Sequence, residues 1–193
     1  MGCLVEIVET LVLTLVIFLV IQNFVAQPYK VQQQSMEHTL EPDQYVLVDK
    51  LTPHFGPYNR GEIIVFKPAP AFATPDGSPF IKRVIGIGGD TVEIKNDGFV
   101  YVNGTRLVEP YLFAVGGQAQ PTTTSATGQS VWHVPDGALF LLGDHRQESV
   151  DSRVFGTVPV DSVIGRAWLR YWPFDTFGIL ANPGHPELAS PAP

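Results

Sequence analysis

Phe99-Val100-Tyr101-Val102-Asn103-Gly104-Thr105-Arg106-Leu107-Val108 reads as two short strands joined by a two-residue turn. Asn-Gly is the favoured pair for a type I′ turn, whose central residues both need positive φ and whose twist matches that of paired strands. Working outward, other runs share this texture. Tyr45–Asp49, Glu62–Lys67, Phe80–Ile87, Thr91–Ile94, Ala138–Leu142 and Val163–Trp172 are short, rich in β-branched or aromatic residues, and separated by Gly, Pro and Asn. No sustained 3.6-residue amphipathic pattern follows residue 30. That part of the chain is expected to be mostly β, an antiparallel sandwich or partly open barrel.

Upstream, Thr10–Tyr29 (TLVLTLVIFLVIQNFVAQPY) carries no charged residue. Twenty residues of helix span about 30 Å, the thickness of a bilayer's hydrocarbon core. In lipid a helix satisfies its own backbone, so β-branched content is no obstacle. Pro28 is expected to end the helix. A cleaved signal peptide would want a basic n-region and a small-x-small site. Here Glu6 and Glu9 precede the run with no Lys or Arg, and Val25-Ala26-Gln27 fits such a site poorly. The run reads as a retained anchor. Charge leaves its orientation open, because Lys30 is almost all the positive-inside rule has to count.

The net charge of −7 argues against a nucleic-acid partner, which needs a basic face. Cys3 is the single cysteine, so neither an intramolecular disulfide nor a cysteine zinc site can form. About 150 residues remain beyond the anchor and a tail, enough for one core with a small satellite. The expected layout is an anchor over 1–29, a β core over 30–95 and 138–175, and an inserted β subdomain over 96–137. The insertion contains Ala114–Ser130, a polar small-residue stretch that cannot bury much, and residues 181–193 read as a disordered, proline-rich tail.

Three segments set polar residues beside apolar strands. Gln34-Ser35-Met36 is a serine on a turn just after the anchor. Phe80-Ile81-Lys82-Arg83-Val84 interrupts a strand with a lysine. Gly143-Asp144-His145-Arg146-Gln147-Glu148-Ser149-Val150-Asp151-Ser152-Arg153 is a polar loop after an apolar strand. Lys82 has two readings: it points to solvent while Phe80 and Ile81 alternate around it, or it is buried. Burial disfavours the ammonium and lowers its pKa. A fall from about 10.4 to near 7 corresponds to roughly 4 to 5 kcal/mol. A neutral amine can take a proton from a serine hydroxyl.

Taken in order, four stretches resemble type I signal peptidase. They are Ser35-Met36-x-x-Thr39-Leu40; Arg60-Gly61-Glu62-Ile63-Ile64-Val65-Phe66; Lys82-Arg83-Val84-Ile85-Gly86 with Gly89-Asp90; and Gly143-Asp144-x-Arg146-x-x-Ser149-x-Asp151-Ser152-Arg153. The likeness runs from the anchor to about Trp172. It implies an S26-type serine protease, its antiparallel β catalytic domain and small β insertion standing behind one N-terminal transmembrane helix. It implies Ser35 as nucleophile, Lys82 as general base and Ser149 as the hydroxyl that orients the lysine. Arg83, Asp144, Asp151 and Arg153 match supporting ion-pair positions, with Arg83 facing Asp144. The implied substrates are exported preproteins cut after Ala-x-Ala, and the chemistry implies neither metal nor cofactor. The implied location is the plasma membrane, single-pass, with the N-terminus cytoplasmic, the catalytic domain outside, and Ser35 held near the lipid bilayer.

Departures accompany the likeness. Relatives often carry proline at the position of His38, asparagine at that of His145, and serine or glycine at that of Gln33. The Ser35 backbone N–H is the first oxyanion donor expected, and the Gln33 amide is a second candidate. Met36 is expected to face lipid or the substrate pocket. His145 allows a rival catalyst, Ser35 with His145 and Asp144 or Asp151, which leaves Lys82 unexplained. His54, His133 and His185 are expected at the surface. Two other classes compete: a silent tethered β domain binding peptides at a sheet edge, and a self-cleaving regulator. The first gives no reason to keep Ser35, Lys82 and Ser149 together. The second is at odds with a membrane span and the lack of a DNA-binding segment.

Overall fold

The structure, a computed structural model, describes residues 2–51, 53 and 55–188. The first helix, α1 (Gly2–Val20), runs on through a π turn (Ile21–Val25). Val5–Val25 is long and apolar enough to cross a membrane, and none of it is buried against the rest of the chain. Three of its polar side chains bond back to the preceding turn. The Thr10 and Thr14 hydroxyls donate to Glu6 O and Thr10 O at 2.8 and 2.7 Å, and the Asn23 amide to Leu19 O at 2.8 Å.

Pro28 does not end the helix, which closes at Val25. Ala26–Lys30 instead forms β1, an antiparallel edge strand on β2 (Tyr45–Asp49). An edge strand has an open side, which is where a residue without an N–H is tolerated. The apolar helix therefore feeds straight into the sheet. In chain order follow β3 (Ile63–Phe66), β4 (Phe80–Ile87), β5 (Thr91–Ile94), β6 (Val100–Val102) and β7 (Thr105–Arg106). Then come β8 (Ala114–Val115), β9 (Gln118–Ala119), β10 (Val131–His133), β11 (Ala138–Leu142), α2 (Ser152–Phe155), β12 (Val158–Pro159), β13 (Val163–Trp172) and β14 (Gly178–Ile179).

The large antiparallel sheet runs β1-β2-β13-β3-β4-β11-β12, with β14 on β13. The smaller sheet runs β10-β5-β6-β7. Every strand run read from the sequence is a strand. In the β6–β7 hairpin Asn103 and Gly104 have φ of 52° and 81°, the pair of positive angles its turn requires. The boundary expected at residue 95 lies too late, because β5 pairs with β6 and β10 and not with the large sheet. The chain leaves the large sheet at Gly88-Gly89, where Arg60 pins Asp90 through bonds of 2.8 and 2.6 Å.

The β4–β11 pair serves two cores. Ile85, Phe140 and Leu142 face the small sheet, while Val84, Leu139 and Leu141 pack with Phe66 and Phe80. Both faces are covered, so β11 is buried throughout. A third cluster gathers Met36, Leu40, Val46, Val48 and Val65 beneath the serine.

Two segments are more ordered than their composition implies. Ala114–Ser130 contains the β8–β9 hairpin and a buried Thr122. Residues 181–188 are docked and not disordered, and 189–193 lie outside the described residues. His185 is buried, contrary to the surface expectation, with Nε2 3.3 Å from Tyr111 Oη and Nδ1 2.9 Å from Glu187. Glu187 also accepts from Val108 N at 2.8 Å, and Leu188 packs on the small sheet's core. Prolines in this segment reduce the entropy lost on docking.

Candidate active site

Core packing pins the turn that presents the serine. Gln34–Met36 is one 3-10 turn. Met36 and Leu40 are fully buried, so Met36 is a core residue and faces neither lipid nor a pocket. Met36 O accepts from Thr39 N at 3.1 Å, and His38 completes that turn at φ 82°. Proline, locked near −65°, cannot occupy that position in this turn. Ser35 is 2% exposed.

Lys82 projects from β4, where its backbone pairs with Ile64 of β3. The side chain is 0% exposed, which excludes the solvent-facing reading. Nζ lies 2.6 Å from Ser35 Oγ, 3.1 Å from Ile81 O and 5.3 Å from the Phe80 ring centroid. Burial is the main cause that brings its pKa from 10.5 down to about 8. Asp151 and Asp144 pull it back upward, and Arg153 lowers it further.

The loop after β11 closes over this pair. A Cβ on Gly143 would lie 2.4 Å from Ser35 O and 2.3 Å from Ser149 Oγ, so only glycine permits the approach. Asp144 receives Arg83 Nε and Nη2 at 2.8 and 2.6 Å, and Thr39 Oγ1 at 2.5 Å. Asp151 receives Arg153 Nε and Nη2, both at 2.8 Å, and Gly143 N at 3.2 Å. Arg153 Nη2 also donates to Arg146 O at 2.6 Å. The four ion-pair residues named from sequence meet as two buried pairs. Ser149 does not reach the lysine. Its Oγ is buried against Gly143 without a hydrogen-bond partner, while Lys82 Nζ turns to Ser35 and Ile81.

Gln33 is exposed and lines a cavity of about 200 Å³ together with Tyr29, Val31, Val46, Val65 and Ile81. His145 is not aimed at Ser35 Oγ. Its backbone N–H donates to Ser35 O at 3.1 Å, its Nδ1 lies 2.7 Å from Glu37 Oε2, and its ring stacks on Phe113 with centroids 3.9 Å apart. His133 is exposed, and His54 lies outside the described residues.

Arg146, Glu109 and Thr122 belong to the site although the sequence assigns them no role. Arg146 Nε donates to Gly143 O at 2.9 Å, and its other nitrogens bond Glu109 and Thr122 of the insertion. The insertion thereby braces the 143–153 loop. The Gly-Asp-x-Arg run was the available signal for Arg146, whereas Glu109 and Thr122 carry no local signature. Among the described residues no group of three or more His, Cys, Asp or Glu side chains gathers as a metal site. A buried hydroxyl with a deprotonable amine at hydrogen-bond distance has the parts for nucleophilic attack on a carbonyl.

A family model described as signal peptidase, peptidase S26, matches residues 4–172. A signal peptidase I of Leptolyngbya laminosa is 38% identical, over 93% of this chain and 85% of its own length. A probable signal peptidase I-1 of Synechocystis is 37% identical, over 92% and 87%. Signal peptidase I of Bacillus caldolyticus is 39% identical, over 80% and 84%.

Proposed function

From the premise that this chain belongs to the signal peptidase family, peptidase S26, we propose that Ser35 is its nucleophile and Lys82 its general base. The chain is a serine endopeptidase acting on preproteins that carry signal peptides. One observation carries the residue assignment: a fully buried Lys82 Nζ stands 2.6 Å from Ser35 Oγ.

Neutral Lys82 takes the hydroxyl proton as Ser35 Oγ attacks the scissile carbonyl carbon. The tetrahedral intermediate collapses, the C–N bond breaks, and Lys82 delivers the proton to the leaving amine. Water then adds to the acyl-enzyme while Lys82 accepts its proton, and that proton returns to Ser35 Oγ as the acid departs. The Ser35 backbone N–H is the oxyanion donor of this reading, with the Gln33 amide the candidate for a second, and a prepositioned donor is worth about 3 kcal/mol. The Arg83–Asp144 and Arg153–Asp151 pairs hold the loop that encloses the serine.

The cavity beside Gln33 is small and walled by Val31, Val46, Val65 and Ile81, which supports recognition of Ala-x-Ala. One methylene shifts such discrimination by about 1 to 3 kcal/mol. Trp172, Phe174, Phe177 and Ile179 are exposed at the ends of β13 and β14, Phe174 at 75%. An exposed apolar patch of this kind supports contact with the bilayer. In this reading the N-terminus is cytoplasmic and the catalytic domain lies outside the plasma membrane.

Full-length protein in detergent, given a preprotein whose signal ends in Ala-x-Ala, is expected to cut after the second alanine. Ser35→Ala and Lys82→Ala should each abolish cleavage, while His145→Ala should keep measurable activity. An active Lys82→Ala beside an inert His145→Ala would overturn the base assignment.

A further inference from the structure

We propose that Glu37 and His145 form a positioning pair for the nucleophile, a role that rests on the reading of Ser35 given above. The 143–153 loop grips the serine turn at three points: Asp144 on Thr39, the His145 N–H on Ser35 O, and the His145 ring on Glu37. The second contact touches the nucleophile residue itself and is only as fixed as the His145 backbone. That backbone is steadied through its ring, which is stacked on Phe113 and donates Nδ1–H to the Glu37 carboxylate.

Glu37 stands two residues beyond Ser35. The links from Ser35 through Met36 to the Glu37 carboxylate, across to the imidazole, and back through the His145 N–H to Ser35 O therefore close a ring. Swinging either side chain away opens this ring and frees the His145 backbone that holds Ser35 O. Both are shielded, with side-chain exposures of 9% and 17% for His145 and Glu37, so water competes poorly for the bond. The turn they hold contains His38 at φ 82°, a left-handed angle that side chains other than glycine resist. Such a turn needs outside ties to persist. Neither group touches Ser35 Oγ, so the pair acts through the position of Ser35.

Displacing a reacting atom by about 1 Å costs on the order of a hundredfold in rate. In steady-state cleavage of an Ala-x-Ala preprotein by full-length enzyme in detergent, Glu37→Ala and His145→Ala should each lower kcat by about ten- to a hundredfold. KM should stay within about twofold, because the chemistry is affected and not substrate binding. The double variant should be no slower than the slower single, since both remove one link. Glu37→Gln should restore most of the lost kcat, because its amide oxygen accepts the same N–H. Thermal unfolding of each variant gives the folded fraction to which kcat is normalised. If His145→Ala does not fold, the Glu37→Ala and Glu37→Gln pair still decides.

Wild-type kcat in Glu37→Ala and His145→Ala would overturn the proposal, as would independent, multiplying losses or a Glu37→Gln as slow as Glu37→Ala. If Ser35→Ala is inert while those variants run at the wild-type rate, the positioning role fails and the nucleophile stands. If Ser35→Ala still cleaves, the nucleophile assignment and the positioning role fall together.

Discussion

Lys82 and Arg83 are adjacent buried cations on β4, and the molecule treats them in opposite ways. Arg83, 1% exposed, has every guanidinium nitrogen engaged: Nε and Nη2 on Asp144, Nη1 on Gly61 O at 2.7 Å. The Tyr111 ring lies 4.0 Å from its Cζ. Burial alone would depress Arg83, but Asp144 outweighs burial and holds the group above its ordinary pKa. Lys82 is given a hydroxyl and a carbonyl, and burial brings it down to about 8. Alternation along the strand sends the two side chains to opposite faces, so one residue step separates framework from chemistry. Residue type matters as much as placement, because a guanidinium keeps its proton in proteins whereas a buried ammonium can lose it.

Exchanging Lys82 should break this comparison most severely. Lys82→Met is expected to lower kcat/KM at least about a thousandfold. It should also raise stability at pH 7 by about 3 kcal/mol, the equivalent of the fall from 10.5 to about 8. Below about pH 8 the folded and unfolded chains both hold this proton, and the burial cost is present in full. Between about 8 and 10.5 the unfolded chain holds more protons, so wild-type stability rises with pH and the cost is gone above that range. Chemical denaturation of Lys82→Met should lack this rise, and a Lys82→Met destabilised at pH 7 would contradict the cost assigned to the ammonium.

The Arg83 side of the comparison is tested by stability. Arg83→Met should cost about 3 to 5 kcal/mol, because it strands Asp144 in the interior. Arg83→Lys should recover little, since a point charge cannot replace the fork. Equal unfolding midpoints for Arg83→Lys and wild type would show that the two-pronged geometry is dispensable.

Wild-type kcat/KM should climb about tenfold per pH unit and level off above about pH 8, where Lys82 is neutral. A midpoint near 6.5 would point to a histidine base instead. The smallest effect is expected from truncation after Leu180. Asn182 and His185 lean on Gly61 and Tyr111, the groups that surround Arg83. Their removal should cost about 1 to 2 kcal/mol in unfolding measurements. Cleavage should stay within about twofold, because the segment touches no reacting atom.

Much of the large sheet was legible because its strands are short, β-branched and punctuated by turn residues, and β6–β7 follows directly from Asn103-Gly104. The parts that stayed hidden depend on partners distant in sequence. β1 continues an apolar run, and only its pairing with Tyr45–Asp49 makes it a strand. The docked segment 181–188 reads as a tail because His185 finds Tyr111 74 positions away. Ser35, Lys82 and the 143–153 loop stand in recognisable stretches, whereas Glu109 and Thr122 join the site through Arg146, a partner distant in sequence. The burial of Lys82 cannot be read from β4 itself, since both faces of that strand are covered and alternation has no solvent side.

The most direct test follows the Lys82 proton itself. Enzyme labelled at lysine Cε, with Lys82→Met identifying the resonance, can be titrated by NMR from about pH 6 to about pH 12. A Lys82 midpoint near 8 is expected. A midpoint at 10.5 or above would contradict the account, because the amine would then keep its proton throughout the range in which it must accept one from Ser35.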